Sequence, residues 1–174
     1  MSQLIDENGV RVQFPDNNYF QFSTCQNYIN IKSQKVKETD VGWFDISNNI
    51  LWLVELKAFD NPNNPRYRPQ NLHDQDIMAK WIDELVTKSI HAVCMACSNR
   101  VGTQTCLPQL PNHQTRINIV HLVKVVPNQS SYLSFMQDAI RAELMAYKAI
   151  FNIAGILVLD YDSARQQNLF PWIV

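Results

Sequence analysis

A chain of 174 residues that is 46% hydrophobic and 18% charged can build a real core and is not disordered. It is also shorter than the roughly 250 to 300 residues at which chains divide, so one domain spanning residues 1–174 is expected. Its net charge of -1 excludes a globally basic nucleic-acid binder, so any contact with a polyanion must rest on a local patch. No basic stretch followed by an apolar run marks a secretory leader, and no uncharged run nears the roughly 18 residues that span a bilayer. A cytoplasmic protein is therefore expected. In a reducing compartment Cys25, Cys94, Cys97 and Cys106 are free thiols or metal ligands.

Taken in chain order, Val10, Val12 and Phe14 alternate with polar residues, as do Phe20 and Phe22. Two short strands follow from that period, joined by turn residues at Pro15-Asp16-Asn17-Asn18. Residues 39–46 and 50–58 read as the two strands of a hairpin. Asparagine tolerates positive φ, so Asn48-Asn49 suits a two-residue turn. A loop rich in Asn, Pro and Arg runs from Asp60 to Leu72. A long amphipathic helix is predicted from Asp74 to about Asn99, with Met78, Trp81, Ile82, Leu85, Ala92 and Val93 on its apolar side. After an irregular stretch from Val101 to Gln114, the β-branched run from Ile117 to Val126 reads as a buried strand. A second helix from Ser130 or Ser131 to about Ile150 and a last strand from Ile156 to Asp160 complete the pattern. Strands alternating with helices make an α/β domain with a mixed central sheet and helices on its faces.

The hairpin carries the chemistry. The run Ile50-Leu51-Trp52-Leu53-Val54-Glu55-Leu56-Lys57-Ala58-Phe59 is apolar enough to be buried on both faces, yet it holds Glu55 and Lys57. Burying charge is costly unless it is paired or binds a metal. Strand periodicity puts Glu55 and Lys57 on one face. A two-residue turn at Asn48-Asn49 would set Asp40 opposite Lys57 and Gly42 opposite Glu55 on that same face. Gly42 would then leave room for an ion or a phosphate beside Glu55. Asp45 falls on the other face, roughly 10 Å along the strand from the level of Glu55, so Asp40 is the preferred partner. Two carboxylates and a lysine suit phosphodiester hydrolysis: the carboxylates bind Mg²⁺, and the lysine stabilises charge on the phosphate.

Asp40, followed by Glu55-Leu56-Lys57 at the end of an apolar strand, resembles the D…(D/E)-x-K signature of the PD-(D/E)XK nuclease-like superfamily. Thr39 stands where the signature's proline would be. The resemblance covers roughly residues 20 to 160. It implies a restriction-endonuclease-like core of αβββαβ type and metal-dependent cleavage of DNA in preference to RNA. In that likeness Asp40 and Glu55 bind Mg²⁺ or Mn²⁺ and Lys57 assists catalysis. Members often place a polar residue of the long helix beside the metal, and Lys88 is the matching position; its other reading is a lysine whose stem covers apolar surface. No clear first-helix glutamate is visible, and Glu38, which shares the parity of Asp40, is the nearest substitute. A homodimer would place two sites on a duplex. The alternative is a catalytically weak binding subunit of the same fold within a DNA-processing complex.

Other polar residues have plainer readings. Arg66 and Arg68 suit a nucleic-acid backbone or a solvated loop equally. Asp74 or Asp76 reads as a helix cap before a metal ligand, with His73 beside them. His121 reads as a satisfied core histidine before a base, and the cysteines as buried thiols rather than an iron–sulfur or zinc set. Asp160 and Asp162 end the last strand, where facing a cleft and turn chemistry explain them equally well. Trp43, Trp52, Trp81 and Trp172 read as packing residues.

Overall fold

The computed structural model describes residues 3–61, 64–98 and 106–174. Seven strands and five α-helices follow in the order β1 (Ile5–Glu7), β2 (Val10–Val12), β3 (Tyr19–Phe20), α1 (Gln26–Ile31), β4 (Val41–Asp45), β5 (Ile50–Ala58), α2 (Gln75–Cys97), β6 (Arg116–Lys124), α3 (Ser131–Glu143), α4 (Met145–Ile150), β7 (Ile153–Asp160) and α5 (Tyr161–Gln166). The β1–β2 hairpin is a separate two-stranded unit. The other five strands form one mixed sheet in spatial order β3-β4-β5-β6-β7. β3, β4 and β5 are antiparallel neighbours, whereas β5, β6 and β7 run parallel. The mixed α/β class expected from the sequence is thus present.

The two parallel steps need crossovers, which α2 and the α3–α4 pair supply. Two right-handed crossovers advancing in one direction across a sheet place their helices on the same face. There α2 and α3 bury Met78, Trp81, Leu85, Ala92, Val93, Leu133, Met136 and Ile140 against Phe44, Leu51, Leu53, Ile117, Ile119 and Val123 of the sheet. The opposite face packs Val41, Trp43, Val54, Leu56, Val120 and Leu122 against the β1–β2 hairpin, α5 and the segment holding Trp172 and Ile173. Val12 and Ile173 form an antiparallel bridge. β5 is buried on both faces, which is why its sequence reads as continuously apolar rather than alternating.

Local chemistry explains most boundaries. Asp74 caps α2 by accepting from the amides of Asp76 and Ile77, so the capping reading holds. Asp160 caps α5 through Ser163 N and accepts from Ser130 Oγ. Asn8, Asn49, Asn128, Asn152 and Asn168 all have positive φ, so asparagine supplies the left-handed turn positions of this glycine-poor chain.

Four expectations need correction. The β4–β5 turn is not the two residues Asn48-Asn49. β4 ends at Asp45, which pairs with Ile50, and only Asn49 has positive φ. Asp45 side-chain oxygens accept from Asn48 N and Nδ2, stabilising a four-residue connection. The register slips by two, which preserves facing: Gly42 lies opposite Leu53, and Val41 opposite Val54. Phe22 is not in a strand but opens a 3-10 turn, residues Phe22–Thr24. The second predicted helix breaks at Leu144 into α3 and α4. β4 begins at Val41, later than position 39. Residues 62–63 of the Asp60–Leu72 loop, Asn99, and residues 101–105 of the irregular stretch lie outside the described residues.

The outer edge of β7 is occupied by side chains of its own crossover helix. Arg141 Nε donates to Ile156 O at 3.0 Å, and Val158 N donates to Gln137 Oε1 at 3.1 Å.

Candidate functional site

The site is built where β5 nears its carboxyl end, beneath α2. Strand period two carries Leu51, Leu53, Glu55 and Lys57 to the α2 side of the sheet. Glu55 is fully buried, and its Oε1 accepts from Lys57 Nζ at 2.7 Å and from Lys88 Nζ at 2.6 Å. Both lysine side chains are 15% exposed. Lys88 therefore reaches the site from α2 as an ion-pair partner, with its stem along the apolar face. Glu55 Oε2 is buried and has no hydrogen-bond partner.

Asp40 arrives from the segment before β4. Its Oδ2 accepts from Leu56 N at 2.7 Å, which sets it beside Glu55 across the strand pair. Three hydrogen bonds hold that segment: Tyr28 Oη to Val36 O, Lys37 N to His91 Nδ1 on α2, and Gln21 Nε2 to Asp40 O. The same segment carries Glu38, whose Oε2 is buried without a partner. Asp40, Glu55, Lys57 and Lys88 are thus brought together, and Glu38 joins them. Asp45 sits in the turn at the other end of β4.

The electrostatics follow from burial. Burial, reinforced by the Glu55 charge, pushes the Asp40 carboxyl up to about 6 against the pull of Lys88 and Lys57. Burial pushes Glu38 up to about 7; Lys88 opposes the shift, while Asp40 and Glu55 add to it. Lys57 moves the other way from what burial alone would do. The charges of Glu55 and Asp40 outweigh desolvation and raise it, so it stays an ammonium. Glu7, at the end of β1, is also raised, first by burial and then by the Asp40 charge. It had no signal in the hairpin pattern, because it belongs to a separate unit packed against the sheet.

His121 lies beside Glu55 in the β5–β6 register and is fully buried. Burial, then Lys88 and Lys57, push its pKa down to about 3, so it is neutral. Ser89 Oγ donates to Leu85 O at 2.7 Å, so the 3.3 Å contact between Ser89 Oγ and His121 Nε2 has the histidine as donor. That leaves Nδ1 unprotonated, and it is unpartnered. The imidazole is thus neutral and buried, but it is only half satisfied, where the sequence suggested a satisfied core histidine.

The space beside Gly42 is not available to a ligand. A Cβ at Gly42 would lie 2.1 Å from Phe20 Cζ, so the glycine admits a phenyl ring where the sequence suggested an ion or a phosphate. His73 contacts Tyr132 Oη and Gln129 Nε2 and takes no part in the site. Cys94 is exposed, Cys25 is buried, and Cys97 and Cys106 are partly buried. Among the described residues, no group of three or more His, Cys, Asp or Glu side chains could hold a metal ion. Mg²⁺ needs only one or two carboxylates, with waters completing its shell. Asp40 and Glu55 offer hard oxygens, and a buried carboxylate oxygen without a donor is the kind of group a cation satisfies.

Comparison with family models, with curated proteins and with solved structures yields no match. Among the described residues no helix is long and apolar enough to cross a membrane.

Proposed function

We propose that this chain is a metal-dependent nuclease with a restriction-endonuclease-like core, acting on phosphodiester bonds of DNA. The observation that supports this reading best is the buried Glu55 carboxylate held between Lys57 and Lys88, with Asp40 alongside. A structural core has little reason to bury four ionisable groups at one strand end, since desolvation costs several kcal/mol per ion. Ligands of α/β sheets also gather beyond the carboxyl ends of parallel strands, where this cluster lies.

Asp40 and Glu55 hold the cation in this reading. Bound there, Mg²⁺ or Mn²⁺ supplies Lewis acidity to the phosphate and lowers the pKa of a water. Lys57, kept charged by its carboxylate neighbours, orients the attacking water and stabilises negative charge developing on the phosphate. Lys88 positions Glu55. One site cuts one strand, so cleavage of a duplex on both strands calls for a homodimer.

A second reading is a binding subunit of the same fold with weak catalysis. One observation favours it: two ammonium groups already share Glu55 Oε1, a closed ion triad that needs no metal.

The test is cleavage of supercoiled plasmid and of labelled single strands with Mn²⁺, Mg²⁺ or EDTA. Wild type should cut only with metal. Asp40→Ala and Lys57→Ala should each lose at least about a hundredfold in rate, the scale of removing one transition-state-stabilising group. Asp45→Ala should cut normally. Folded wild type that cuts nothing with either metal would leave the binding subunit standing.

A further inference from the structure

The loop before α2 and the first turns of that helix form a basic, aromatic-backed groove leading away from Lys57. Tyr67 is its centre. The ring packs edge-on to Phe59 at 5.3 Å and tilts against Trp81 at 6.1 Å. Lys57 Nζ lies 5.4 Å from its centroid, and the Arg66 guanidinium carbon lies 5.2 Å from it. Glu84 pairs with Arg66 and is mostly buried, whereas the Arg66 side chain remains 60% exposed. A planar cation therefore sits over an aromatic ring with its side chain open to water, and a carboxylate pairs with it.

Beside this stack is a cavity of about 290 Å³, lined by Arg66, Asn71, Ile77, Lys80, Trp81 and Glu84 along with Pro65. A narrow cleft lined by Lys57, Tyr67, Trp81 and Glu84 adjoins it. Trp81 and Glu84 line both, so the two hollows adjoin between Lys57 and Lys80. Lys80 is exposed at the cavity's rim. Lys57, Arg66 and Lys80 thus line adjoining hollows in a chain whose net charge is -1.

We infer that this groove is a subsite for one unpaired nucleotide flanking the scissile phosphate, and that the preferred substrate is single-stranded nucleic acid. The inference rests on the nuclease reading for its direction, but its binding chemistry is separate. An exposed guanidinium plane backed by an aromatic ring is a stacking platform for a splayed base. Arg66 and Lys80 supply the charge that a phosphate backbone needs. The volume is near the lower limit of small-ligand sites, roughly 300 Å³. That is about the room one splayed nucleotide takes.

The experiment is fluorescence anisotropy of labelled oligothymidylate and of a duplex of equal length, titrated in EDTA so that no cleavage contributes. Single strand should bind at least about tenfold tighter than duplex. Arg66→Ala and Lys80→Ala should each lower the salt slope of single-strand binding by about 0.7, one phosphate contact each. Arg66→Lys keeps the charge and loses the plane, so it should lose severalfold in affinity with the slope unchanged. Both side chains are exposed, so these variants should fold. Equal affinity for duplex and single strand, or full affinity in Arg66→Lys, overturns the inference. Loss of cleavage in wild type with this binding pattern intact would sink the nuclease reading and leave the subsite in place.

Discussion

Gly42 shows how far a single residue can be read from sequence. Its lack of a side chain was legible, and so was its place on the face of Glu55. What it makes room for was not, because Phe20 comes from a different strand brought alongside by tertiary packing. The prediction at this scale is direct. Gly42→Ala forces a methyl into the Phe20 ring, and overpacking a filled core costs about 1–3 kcal/mol. Urea unfolding should show that loss, and the Gly42→Ala, Phe20→Ala double variant should recover part of it relative to Phe20→Ala alone. If Gly42→Ala is neutral, the ring is not packed as described. Lys88 was legible at the residue scale too, as the polar position of the long helix that the resemblance puts beside the site. The ion pair it makes with Glu55 depends on how α2 sits over β5, which no local pattern carries.

At the scale of elements, the β4–β5 hairpin was right in facing and wrong in register. Facing has period two, so a slip of two residues leaves every side chain on its side. Register depends on how the turn closes, and Asp45 closes this one through Asn48. That choice moved Asp40 from opposite Lys57 to the level of Glu55 without changing the cast of the site. β7 was predicted as a strand, but its protection was not foreseeable, because it comes from Gln137 and Arg141 across the sheet edge. Unpaired edge amides and carbonyls are templates for another chain. Gln137→Ala with Arg141→Ala should therefore leave secondary structure intact and raise self-association, seen as a concentration-dependent shift in sedimentation. A variant that stays as monodisperse as wild type would show that the two side chains do not guard the edge.

For the molecule as a whole, the buried cluster sets how stability responds to pH. Asp40 has an ordinary pKa of 3.8 and is pushed up to about 6 in the fold. A raised carboxylate means that the folded state holds the proton more tightly than the unfolded one. Its destabilising effect is fully present above about pH 6 and fades as pH falls towards 4. Glu38 acts in the same direction between its ordinary 4.5 and about 7. His121 opposes both, because its pKa falls from 6.5 to about 3 and its contribution is lost as pH drops through that window. Removing one group separates them. Asp40→Asn should stabilise the metal-free protein at pH 8 by on the order of 2 kcal/mol more than at pH 4, from the size of the Asp40 shift. Urea unfolding of wild type and variant at the two pH values measures this, and a difference independent of pH would refute it. The tension is itself suggestive, since a site tuned only for stability would not keep a carboxylate that the fold prefers protonated.

The bridge between Val12 and Ile173 bears on where the chain can be shortened. It joins residues separated by nearly the whole sequence, so the two ends of the described chain lie side by side. Trp172 and Ile173 belong to the buried cluster that holds Val10, Val12 and Phe14. Glu55, Lys57 and Lys88 lie on the other side of the sheet, under α2. Trimming the last three residues would therefore uncover the hairpin face and leave the cover over the buried charges in place.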